Sequence, residues 1–80
     1  MIRMQVRTYT MLQRLSYISR KISTGTYPNS SDLAKSLECS VSTISRDLEF
    51  LRDRLAAPIE WNRTLKGYCY SYPWNLYENL

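Results

Sequence analysis

Eighty residues make one small domain, near the lower limit for burying a core of its own. A hydrophobic fraction of 44%, with no apolar run of membrane-spanning length and no signal-peptide core, points to a folded cytoplasmic protein. The charge of +4 suits a polyanionic partner, while the lack of histidine, phosphate-cradling glycine loops and zinc-type cysteine spacing argues against an enzyme and against any metal or cofactor.

The first predicted element is a helix from about Thr8 to Ser23, with Leu12, Leu15, Ile18 and Ile22 forming one apolar stripe. Val6, Tyr9 and Met11 extend or border that stripe. Arg7, Arg14, Arg20 and Lys21 sit largely off it, as a solvated face in preference to a DNA contact. Gly25 stops the helix, and Pro28 brings the chain in extended.

Asn29 reads as an N-cap with Asp32 as its capping-box partner, opening a short helix, SSDLAKSL, that turns Leu33, Ala34 and Leu37 inward. Glu38 and Cys39 make a tight connection. Ser40 caps a third helix whose seam is Ile44, Leu48, Leu51 and Leu55, and Pro58 ends it. Two period-two runs then follow, Ile59 and Trp61, then Tyr68, Tyr70 and Tyr72, joined by RTLKG as a hairpin with glycine near its turn. The last residues, WNLYENL, show no period.

The expected fold is therefore mostly α with a small antiparallel β-hairpin: a winged helix-turn-helix of three helices plus a two-stranded wing. The domain spans 1–72, and 73–80 form an aromatic tail. All eleven Lys and Arg lie between Arg3 and Lys66, so the body is basic and the end is not.

In such a motif the second helix enters the major groove by its N-terminal end. The first turns of the third helix carry Ser40, Ser42, Thr43 and Ser45, then Arg46. Short hydroxyls permit close approach and donate to phosphate, and an arginine can reach a guanine edge with two hydrogen bonds. For Ser40 capping is the stronger role. Arg63 and Lys66 at the wing tip suit a flanking phosphate or the minor groove. Asn29, Ser30 and Ser31 open the preceding helix, where free N–H groups suit phosphate. Asp47 either orients Arg46 or ties down another cation. The partner these residues imply is double-stranded DNA.

The stretch SSDLAKSLECSVSTISRDLEFLRD, followed by APIEW and KGYCYSYP, resembles the N-terminal winged helix-turn-helix of bacterial WYL-domain transcriptional regulators, relatives of DeoR-type domains. The family's signature matches Ser40, Thr43, Arg46, Asp47, Leu48 and Leu51, and its wing matches Ala57, Pro58, Ile59, Trp61, Gly67 and Tyr68. The resemblance implies a sequence-specific regulator, bacterial or phage, acting as a repressor. The family usually has glycine where Glu38 stands, so a left-handed residue there is strained or the turn differs. It also usually carries a cation where Val41 and Ser42 stand, which shifts direct readout onto Arg46 and the wing.

The family's ligand-sensing domain would follow the wing. The chain ends at Leu80, so it reads as an excised DNA-binding domain or a stand-alone regulator, with no small-molecule ligand of its own. Trp74, Leu76, Tyr77 and Leu80 exceed what a wing needs, and suit a homodimer interface or a linker to the absent domain. The alternatives are a winged-helix protein-interaction module without DNA binding, and a single-strand binder stacking bases on its tyrosines.

Overall fold

The structure, a computed structural model, describes residues 9–80. Arg3, Val6 and Arg7 lie outside the described residues. The element order is α1 (Met11–Ser23), α2 (Ser30–Leu37), α3 (Val41–Arg54), β1 (Ile59–Asn62) and β2 (Gly67–Tyr70). Three helices and a two-stranded antiparallel hairpin make the winged helix-turn-helix plan. No helix among the described residues is long and apolar enough to cross a membrane.

Each helix begins where a polar side chain satisfies orphan backbone donors. Thr10 Oγ1 accepts from the Gln13 N–H at 3.1 Å, and Gln13 Oε1 accepts from the Thr10 N–H at 2.9 Å. That capping box starts α1 three residues later than the apolar period alone suggests. Asn29 Oδ1 accepts from the Asp32 N–H at 2.8 Å, and the Asp32 carboxylate returns the contact to the Asn29 N–H. Ser40 Oγ accepts from the Thr43 N–H at 3.1 Å. Each such cap stabilises its helix by about 1 kcal/mol.

The core is one cluster: Leu15, Ile18 and Ile22 from α1, Leu33, Ala34 and Leu37 from α2, and Ile44, Leu48 and Leu51 from α3, closed by Ala57, Ile59 and Leu76. Burying each large aliphatic side chain contributes about 1.5–3 kcal/mol. Leu12 departs from the expected stripe: it is 51% exposed, and Ser19 is buried instead. Leu12 lies at the stripe's edge in the first turn, where it borders a groove with Leu37 and Tyr77 rather than core.

The hairpin pairs Ile59 with Tyr70 and Asn62 with Gly67. Trp61 and Tyr68 meet edge to face across it, ring centroids 5.0 Å apart. The wing is tied to the helices by its backbone, because the Tyr68 N–H donates to the Pro28 carbonyl at 2.8 Å. That approach explains Gly67, which is not the turn's left-handed residue. A Cβ at Gly67 would sit 1.8 Å from the Tyr27 carbonyl oxygen, so the strand can lie against the Tyr27–Pro28 segment only without a side chain there.

The left-handed residues at the joints are mostly not glycines. Gly25 has φ +75°, but Tyr27, Glu38, Ala56 and Lys66 have φ of 52–58°. Glu38 keeps the αL conformation of the motif turn with φ 54° and ψ 45°. Its N–H donates to the Lys35 carbonyl while that of Cys39 reaches the Ala34 carbonyl at 3.0 Å, so the left-handed turn forms with a side chain in place and carries that strain.

The tail folds back on the body. Leu76 is 2% exposed, Trp74 leans on Tyr70 with centroids 5.5 Å apart, and the Tyr77 hydroxyl bonds Ser16 Oγ at 2.8 Å. Tyr77 and Leu80 keep most of their surface exposed.

Candidate nucleic-acid interface

The second helix of the motif, α3, is held by its buried seam so that its other side faces out. Ser42, Ser45, Arg46 and Glu49 are exposed and Thr43 is half-buried. Ser40 spends its hydroxyl on the Thr43 N–H and lies 3.1 Å from the Thr43 hydroxyl. It is thus a cap first. The first turn of α3 holds no carboxylate, and Arg52 and Arg54 sit in the last. The positive end of the helix dipole therefore opens on solvent unopposed.

Two adjacent residues on α3 have opposite fates. Asp47 is buried, and its carboxylate accepts from Arg14 Nε at 2.6 Å and from Arg14 Nη2 at 3.0 Å. Arg14 Nη1 also donates to the Tyr9 carbonyl at 3.2 Å. The bond to Asp47 raises the Arg14 pKa above its ordinary value, against a smaller opposing effect of burial. Arg14 is therefore not a solvated face residue, as its place off the stripe suggested. Of the two roles open to Asp47, it ties down another cation. Arg46, one position earlier, is exposed and has no ion pair among the described residues.

A groove of about 640 Å³ runs along this face, with Met11 and Arg14 on the α1 side and Thr43, Arg46, Glu49 and Phe50 on α3. The start of α1 thus borders the outward face of α3, a neighbour that sequence reasoning missed. No signal short of the Arg14–Asp47 pairing points to it. Cys39, in the motif turn, lies near the same ion pair, and burial pushes its thiol pKa up.

At the start of α2, Asn29 and Ser30 are half-buried and Ser31 is exposed. The Asn29 side chain is committed to its cap, and the Asp32 carboxylate stands in the same first turn. An anion there meets a carboxylate, unlike at α3. The wing tip carries Arg63 and Lys66, both exposed and without ion pairs among the described residues. Asn62 Oδ1 accepts from the Leu65 N–H at 2.7 Å and fixes the turn.

Residues 7–68 match the model of a family described as HTH domain. No curated protein and no solved structure gives a match to the chain.

Proposed function

The chain belongs to the HTH domain family, and on that premise we propose that it is a sequence-specific binder of double-stranded DNA and a transcriptional regulator. The finer reading is a bacterial or phage repressor of the WYL, DeoR-like type, with domain 1–72 on the DNA. In it α3 enters the major groove and the wing follows the flanking backbone or minor groove.

The observation that carries this reading is the pair of neighbours on α3. Asp47 anchors the helix through Arg14, while Arg46 is exposed with its guanidinium uncommitted among the described residues. Arg46 is assigned to a guanine O6/N7 edge, and Ser42, Thr43 and Ser45 to close approach and phosphate. Arg63 and Lys66 supply the flanking contacts. Asn29, Ser30 and Ser31 are assigned to a phosphate that approaches against the charge of the Asp32 carboxylate in the same turn. A homodimer would supply the two half-sites that such motifs normally read, and the exposed Tyr77 and Leu80 of the tail 73–80 are its candidate contacts.

Titration of a labelled duplex over a range of salt tests this. Affinity should fall linearly on a log–log plot, and Lys66→Ala should flatten the slope by about one unit while weakening all sequences alike. Binding that ignores salt and ignores Lys66→Ala contradicts the proposal.

A further inference from the structure

We propose that Leu65, at the tip of the wing, selects A·T over G·C pairs beside the major-groove site; this rests on the DNA-binding reading above, with the wing in the minor groove. Leu65 is 55% exposed at the turn, between exposed Arg63 and Lys66. Its backbone is not loose: Asn62 Oδ1 holds its N–H at 2.7 Å, and Lys66 completes the turn at φ 54°. From Ala57 to Tyr77 the single carboxylate is Glu60, which pairs with Cys69, two rungs below the Asn62–Gly67 end of the hairpin. The tip is thus an apolar side chain between two cations, with no acidic residue to repel DNA.

A lone exposed leucine is ordinary. This one differs in having its backbone N–H tied by Asn62 in the place where the wing would meet a duplex. Against a phosphate row an isobutyl group gains nothing, so the tip's composition favours a groove floor. In the minor groove A·T and T·A pairs show only acceptors, whereas G·C adds the guanine 2-amino donor. Arg63 and Lys66 carry donors alone and meet acceptors that every pair shows there, so they add affinity without choosing between pairs. Leu65 offers no acceptor, so a guanine amino group beneath it loses its water and gains no hydrogen bond.

The test uses the full chain and a duplex obtained by selection, with the wing-side flank built from A·T, G·C or inosine·C pairs. Inosine keeps the major-groove edge of guanine and lacks the 2-amino group. The A·T and inosine·C flanks should bind alike and the G·C flank about tenfold more weakly. Leu65→Ser should erase that difference without loss of fold, since the side chain lies outside the core. Lys66→Ala should weaken all three alike. An inosine·C flank that behaves as G·C, a preference that survives Leu65→Ser, or equal binding to all three overturns this proposal alone. Failure to bind any duplex overturns the DNA-binding reading and this one with it.

Discussion

Arg14 and Asp47, 33 positions apart in the chain, form a two-pronged ion pair at 2.6 and 3.0 Å that fastens the start of α1 to the middle of α3. The pair is unequal in exposure: Asp47 is almost wholly buried and Arg14 only partly so. Removing the arginine strands a buried charge, which costs more than the net worth of the pair. Arg14→Ala should therefore destabilise by about 3–5 kcal/mol in urea denaturation. The double change Arg14→Met with Asp47→Leu should recover most of that loss, because well-packed apolar replacements of a buried pair are close to neutral. A double variant as unstable as Arg14→Ala would show that the charges themselves are required.

Gly67 is fixed by contact and not by torsion. With the Tyr27 carbonyl oxygen 1.8 Å from where a Cβ would lie, Gly67→Ala must push the strand off the Tyr27–Pro28 segment. The hydrogen bond from the Tyr68 N–H to Pro28 goes with it. A loss of about 3 kcal/mol is expected, together with faster hydrogen exchange at the Tyr68 amide. Unchanged protection of that amide would contradict this account of the wing's attachment.

Glu38 stands in the left-handed region where a side chain is strained. Glu38→Gly should raise stability by about 1 kcal/mol, the relief of strain exceeding the added freedom of the unfolded chain. Thermal or urea midpoints report it directly. A midpoint that falls would mean that the contacts of the glutamate side chain outweigh the strain.

Tyr70 carries a buried hydroxyl near the Ser19 side chain, with no well-formed hydrogen bond among the described residues. Burial pushes its pKa up to about 12, the lesser effect of the Ser19 side chain acting in the other direction. Below about pH 10 the phenol is neutral in folded and unfolded chains alike. Above that the unfolded chain ionises while the folded one keeps its proton, so stability falls as pH rises from about 10 towards 12. Tyr70→Phe should make that fall shallower than in the wild type. At neutral pH it should be neutral or stabilising, since it removes an unpaired buried group. Parallel pH profiles of the two proteins would contradict the assignment.

Local signals were the legible ones. The Asn29 and Ser40 caps, the seam of α3 and the alternation of the hairpin all lie within a few residues of the groups they organise, so the sequence pattern carries them. What stayed hidden depends on approach between distant segments. Arg14 looks like a solvated cation until α3 brings Asp47 beside it. Gly67 looks like a turn residue until the Tyr27 backbone arrives against its Cα. Leu76 sits in a tail without period, yet it is core, because one anchoring side chain leaves no repeat to detect. At the candidate site the polar opening of α3 was readable, while the neighbouring start of α1 was not.

The central claim is that Arg46 reads a base from a helix fastened by Asp47. Selection of bound duplexes from a random pool, with wild type and Arg46→Ala in parallel, tests it most directly. The wild type should yield a defined motif with a guanine at one position. Arg46→Ala should lose about 1–3 kcal/mol on that motif and relax that single position, leaving the rest intact. A motif unchanged by Arg46→Ala, or no enrichment with the wild type, would contradict the account.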